Sequence, residues 1–254
     1  MTSHLHKLHQ MRLFSLKDVI QITDNESTAK SFLAANIKKG TICRIKKNLY
    51  AITDLATMQC AVSKYEIAAN ISENSYVAYH SAMEYHGLGH QLFNEVSVIS
   101  ESTFRTFEFE GVTYHYHQPT IAAGVTVPMM NSLVRVTDIE RTVIDCIDRI
   151  KYAGGLEELL NNLSSISYID EKKLILYMDL YGKISIYQKA GLLLSLFKKQ
   201  MRLSSSFFRH CKKHIGNSTR HLTDTTEQCE YNSEWRLCVP TYLTNNWKQG
   251  GANV

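Results

Sequence analysis

The hydrophobic pattern changes period twice between Ser15 and Ile52. Leu16, Val19 and Ile20 recur at helical spacing behind Ser15, and Ser15 with Asp18 three residues on forms a capping-box pattern. Thr23 and Glu26 repeat it, which predicts a second helix with Ala29, Phe32, Leu33 and Ile37 facing inward and Gly40 ending it. The apolar runs then shorten to strand length, Ile42 to Ile45 and Leu49 to Ile52, around a Lys46-Lys47-Asn48 turn. Two helices joined by a tight turn and followed by a basic hairpin are in the order of a winged helix-turn-helix. Leu5, Leu8 and Met11 supply a supporting helix in front of it.

If Phe32 and Leu33 point inward, Thr28, Lys30 and Ser31 point outward, and small polar side chains suit a helix lying in the major groove. Lys38, Lys39, Arg44, Lys46 and Lys47 would then meet phosphates. Lysines at a hairpin tip also occur on plain solvated turns. The nucleic-acid reading rests on the coincidence of helix pair, polar outer face and cationic hairpin.

Helical spacing of Leu55, Met58, Ala61, Val62, Tyr65 and Ala69 predicts a connecting helix over 54–74. Tyr76 to Ala78 reads as extended and the following residues as helical, with Ser81 and Glu84 as a cap and Gly87 as a stop. Strands are expected over 95–100, 106–109 and 112–117, the last two joined by Glu110-Gly111. Thr137 and Glu140 predict another capped helix, with Ile139, Val143, Ile144 and Ile147 buried and an Arg141–Asp145 ion pair on the exposed side. Helices follow over 156–163, 170–181 and 184–199. The expected fold class is therefore α+β. A winged helix-turn-helix domain (1–54) precedes a larger α+β domain (55–254), with a small, mostly antiparallel sheet over about 75–150 and a helical basic part over about 151–225.

Composition is that of a globular chain, and no apolar run reaches membrane-span length, so a cytoplasmic location is expected. Six dispersed cysteines with no CxxC pair argue against a zinc ribbon or a disulfide framework. Charge is uneven. Residues 1–54 carry nine Lys/Arg against four Asp/Glu, residues 55–182 eight against sixteen, and residues 183–254 eleven against four. Lys198, Lys199, Arg202, Arg209, Lys212 and Lys213 could form a second basic surface, or simply a solvated helix face. His4, His6 and His9 have no carboxylate or cysteine to complete a metal site and read as a polar terminal face, while His80, His86 and His90 lack the HExxH spacing and suit packing or capping better. His115 with His117, or Asp138, Glu140 and Asp145, would be needed by a metal-dependent nuclease, the principal alternative function. A ligand-sensing regulator is a further alternative, although no glycine-rich phosphate loop or other cofactor signature supports it, and no catalytic residue or cofactor is assigned.

Several stretches together resemble the AbiEi family, the antitoxin and regulator half of type IV toxin–antitoxin systems. They are IKKGTICRIKKNLYAI, YVAYHSAMEYHGL, VRVTDIERTVIDCI and the strand-like NSEWRLCVP over 232–240, in the family's order. Two positions depart from its pattern: KKNLYA stands where an Arg-Gly turn is more common, and Ile139 where proline is usual. The resemblance implies a non-enzymatic protein that represses its own operon by binding operator DNA. It also implies that the protein counteracts a nucleotidyltransferase-like toxin without a stable complex.

Overall fold

The computed structural model describes residues 3–224 and 228–243. It begins with α1 (Ser3–Met11), β1 (Leu13–Ser15), α2 (Leu16–Thr23), α3 (Glu26–Lys38), β2 (Ile42–Lys46), β3 (Leu49–Asp54) and β4 (Gln59–Cys60). Next come α4 (Lys64–Ala69), β5 (Tyr76–Val77), α5 (Tyr79–Tyr85), β6 (Glu95–Ile99), β7 (Phe107–Phe109), β8 (Val112–His117), β9 (Val125–Thr126) and β10 (Val136–Thr137). The helices α6 (Ile139–Asp148), α7 (Leu156–Ser164), α8 (Glu171–Tyr181), α9 (Ile184–Ser195) and α10 (Ser205–His214) follow. The short strands β11 (Arg220–His221), β12 (Cys229–Asn232) and β13 (Leu237–Pro240) complete a mixed α/β fold of small sheets. Asn232 to Pro240 is thus a strand end, a turn and a strand, and the terminal segment 245–254 lies outside the described residues.

The chain forms two interleaved units. One comprises residues 1–76, 94–116 and 127–135, the other 77–93, 117–126 and 136–254, and the backbone passes between them five times. The expected break at residue 54 does not coincide with this division. Residues 55–76 join the first unit because β4 pairs with β3 through Thr53–Cys60 and Asp54–Gln59, and Arg12 pairs with Glu66 at 2.8 Å. Nor is 54–74 a single helix. Leu55 and Met58 are exposed in a turn, and the helix starts only at Lys64, behind a Ser63–Glu66 capping box.

In the first unit β3 is central, with β1 and β2 antiparallel on either side. Leu8, Phe14, Val19, Ala29, Leu33, Ile42, Tyr50 and Ile52 form one buried cluster beneath α2 and α3. Each large side chain there contributes about 1.5–3 kcal/mol by leaving water. Farther along, β7 and β8 form a hairpin, with Glu110 at φ 47° and Gly111 at φ 74°, the positive values a tight two-residue turn requires.

In the second unit α6 packs against α5, α8 and α9. Asp138 caps α6, its carboxylate accepting from the Arg141 N–H at 2.8 Å, while Thr137 is buried against the Thr142 hydroxyl at 2.7 Å. The expected Thr137 cap is therefore replaced by its neighbour. Ala78, not Ser81, precedes the first residue of α5. The Arg141–Asp145 pair, expected on the surface, is fully buried at 2.6 Å. Arg141 also donates to the Ala123 carbonyl at 2.5 Å, and the Tyr181 hydroxyl donates to Asp145. Burial raises the Asp145 carboxyl pKa, while Arg141 and Tyr181 act in the opposite direction.

Candidate nucleic-acid interface

The local chemistry of α2 and α3 sets the presentation of the candidate residues. Ser15 and Asp18 cap α2 reciprocally, the Asp18 N–H donating to Ser15 Oγ at 3.2 Å and the Ser15 N–H to Asp18 Oδ2 at 2.7 Å. α3 begins two residues later than the Thr23–Glu26 pattern suggests. Thr23 spends its hydroxyl on the Val19 carbonyl at 2.9 Å, and Asn25 becomes the cap, its Oδ1 accepting from the Thr28 N–H at 3.0 Å.

Ala29, Leu33 and Asn36 form the buried stripe of α3. Ile37, expected inside, is 36% exposed, and Asn36 takes the inner position with its amide donating to the Phe32 carbonyl at 2.8 Å. With 3.6 residues per turn, Ser31 lies opposite the buried stripe, flanked by Thr28 and Lys30. All three are exposed, as are Lys38 and Lys39 at the C-terminal end. Lys30 is not a free charge, because it pairs with Glu26 at 2.6 Å and lowers that carboxyl's pKa. Thr28 has its hydroxyl 3.4 Å from Asn25 Oδ1.

The β2–β3 hairpin separates its cations. Arg44 and Lys47 are exposed, and Asn48 turns the chain at φ 65°. Lys46 is half-buried, with its ammonium 5.1 Å and 5.3 Å from the ring centres of Phe104 and Phe107, and burial lowers its pKa. The expected dilysine tip is thus one outward lysine and one pinned to aromatic rings. The sequence held no signal for that contact, since the rings lie nearly sixty residues away.

The second basic set, in the other unit, divides similarly. Lys198 lies 3.1 Å from Ser205 Oγ and over the Phe208 ring, and Lys212 pairs with Glu234 at 2.6 Å over Trp235. Lys199, Arg202, Arg209 and Lys213 are exposed. The same unit holds a cavity of about 430 Å³ whose wall includes Arg149, Lys151, Lys183 and Lys189. Asp148 takes up part of this charge, 2.6 Å from Lys183, and burial lowers the pKa of Lys189.

The histidines and acids needed for nuclease chemistry are otherwise engaged. His115 faces Glu95 at 3.3 Å, and His117 packs on Tyr79 and Tyr152. Asp138 and Glu140 share Lys173, and Asp145 is sealed against Arg141, so the three acids form no open carboxylate set. His80 meets Glu158 at 3.0 Å, His86 the Thr137 carbonyl at 2.7 Å and His90 Ser165 Oγ at 3.0 Å.

No family model matches the chain, and no curated protein sequence matches it. Among solved structures, the crystal structure of the RV2827C protein from Mycobacterium tuberculosis is similar in fold, with a TM-score of 0.61 at 12% identity over 92% of this chain and 89% of that one. At that identity the likeness concerns the mixed α/β fold alone. Among the described residues no helix is long and apolar enough to cross a membrane.

Proposed function

We propose that this protein is a cytoplasmic DNA-binding antitoxin that represses its own operon and counteracts a nucleotidyltransferase-like toxin. In this reading residues 1–54 are a winged helix-turn-helix, α3 enters the major groove and the β2–β3 hairpin follows the backbone as the wing. The observation that carries the DNA half is the outer side of α3. Thr28 and Ser31 stand exposed on a helix whose opposite stripe is fixed in the core, with Lys38, Lys39, Arg44 and Lys47 exposed on the same unit. Small hydroxyls provide base-edge discrimination, and the cations provide a salt-dependent, sequence-independent attraction. The antitoxin half rests on the resemblance in YVAYHSAMEYHGL and VRVTDIERTVIDCI.

Gel shifts on the duplex upstream of the protein's own gene test the DNA half. Thr28→Ala and Ser31→Ala should alter sequence preference, and Arg44→Ala with Lys47→Ala should weaken every duplex alike. Binding indifferent to both pairs would remove the assignment. Co-expression with a nucleotidyltransferase-like toxin encoded beside it tests the antitoxin half by growth rescue, and the absence of such a neighbouring gene would count against that half.

The cationic cavity favours a second reading, a regulator that senses a small anionic ligand through Lys183 and Lys189. Operator affinity that changes with added phosphate metabolites, and stops doing so in Lys189→Met, would support it.

A further inference from the structure

The three-stranded sheet β11–β13–β12 gathers three side chains that the sequence scatters. His221 is paired directly with Cys238 across the parallel β11–β13 ladder. On the other side of β13, Cys229 is opposite Pro240 and Tyr231 opposite Cys238. Residues two apart on a strand share a face, and so do directly paired residues, so His221, Cys229 and Cys238 all project from one face of the sheet. An imidazole nitrogen and two sulfurs there lie within 4.8 Å of one another.

We propose that His221, Cys229 and Cys238 form a binding site for a zinc-class cation, held by two thiolates and one imidazole with a fourth position open to water. Zinc accepts this donor set, and tetrahedral geometry with Zn–S near 2.3 Å places two sulfurs about 3.8 Å apart. The observed separations, none above 4.8 Å, exceed that by about 1 Å at most. Binding sends the two thiol protons to solvent and leaves charge-balanced thiolates on the metal.

The third ligand decides between metal and disulfide. A cysteine pair alone serves either chemistry, whereas an imidazole in register beside both sulfurs adds the third donor that a cation needs and a disulfide bond does not contain. Such a cation would tie together strands of two and four residues that have few ladder bonds of their own. The site lies in the second unit, apart from the proposed DNA-binding residues, and does not depend on that reading.

Cobalt and zinc titrations of the full-length, reduced chain test the site. Co²⁺ should give tetrahedral ligand-field bands and a thiolate charge-transfer band, and a chromophoric chelator should report one zinc per chain. Cys229→Ser with Cys238→Ser should abolish the charge-transfer band, and Cys43→Ser with Cys60→Ser, the thiol pair 3.1 Å apart in the first unit, should leave it intact. His221→Asn sits on an exposed edge strand and does not threaten folding. It should weaken binding by at least the roughly 10–100-fold that loss of outer-shell metal partners costs. Bands unchanged in the Cys229/Cys238 variant, bands lost in the Cys43/Cys60 variant, or zinc affinity indifferent to His221→Asn would each overturn the proposal.

Discussion

Substituting the two hairpin lysines one at a time separates phosphate contact from scaffold packing. Each phosphate neutralised adds about 0.9 to the slope of log affinity against log salt. If exposed Lys47 makes one such contact, Lys47→Ala should lower the slope by about 0.9, and Lys47→Ala with Arg44→Ala by about 1.8. A single contact is then worth about 3.5-fold in affinity over a fourfold rise in salt. Lys46 should behave differently, because its ammonium lies over the rings of Phe104 and Phe107 at 5.1 Å and 5.3 Å. A cation over a ring is worth about 0.5–1 kcal/mol when exposed and about 2 when desolvated, so a half-buried lysine on two rings contributes on the order of 1 kcal/mol. Lys46→Ala should therefore leave the salt slope unchanged and cost about 1 kcal/mol in a urea melt. Fluorescence anisotropy on the promoter duplex across a salt series reads the slope. Equal slope losses for both lysines would refute the pinning argument, and no loss for Lys47→Ala would take the hairpin out of the interface.

Arg141→Met strands the buried Asp145 carboxylate and should destabilise the protein by about 3–5 kcal/mol, with Arg141→Met plus Asp145→Leu recovering much of the loss. With the arginine gone, burial raises the Asp145 pKa with only the Tyr181 hydroxyl acting against it. The variant's deficit should accordingly be smallest below the unfolded aspartate pKa and grow as pH rises through the folded value, in melts from acid to neutral pH. A methyl group on Gly191 would sit 2.0 Å from the Trp235 ring, so Gly191→Ala should cost about 1–3 kcal/mol or more by thermal melt. Burial would raise the Glu158 carboxyl pKa, but the Gln91 N–H, the His80 ring and the His90 N–H outweigh it and hold the pKa below the ordinary 4.5. Its contribution is complete above that value and lost as pH falls through the lower, folded one. Glu158→Gln should therefore flatten the acid limb of the stability profile, and an unchanged limb would contradict the assignment.

Local chemistry was legible in the sequence and distant pairing was not. The Ser15–Asp18 cap, the Glu110-Gly111 turn and the stop at Gly40 each depend on neighbours within four residues, and the structure contains all three. Thr23 and Asn25 competed for one helix start, and the outcome turned on the bond from Thr23 to Val19. Arg141 and Asp145 satisfied the spacing of a surface pair. What buries them is a second layer that includes Tyr181, on a helix thirty-six residues beyond Asp145. The apparent periodicity through Leu55 and Met58 misled because β4 pairs with β3 instead of extending a helix. Of the candidate interface, the exposure of Thr28, Ser31 and Lys47 followed from helix and hairpin geometry. The fate of Lys46 depended on Phe104 and Phe107, and the assembly of His221 with two cysteines depended on strand register.

The five backbone passages between the two units constrain how this protein can be taken apart or recombined. No single cut releases the first unit by itself: ending the chain at residue 76 would remove 94–116 and 127–135, and with them the aromatic rings under Lys46 and the Glu110 carboxylate on the Cys60 N–H. A gene fragment encoding only residues 1–76 would thus lack parts of the very unit it was meant to deliver, whereas one ending at residue 135 holds all of it but carries 77–93 and 117–126 of the second unit as well. The DNA-reading module proposed here is accordingly not a cassette that shuffles freely, because its inheritance brings pieces of the second unit along.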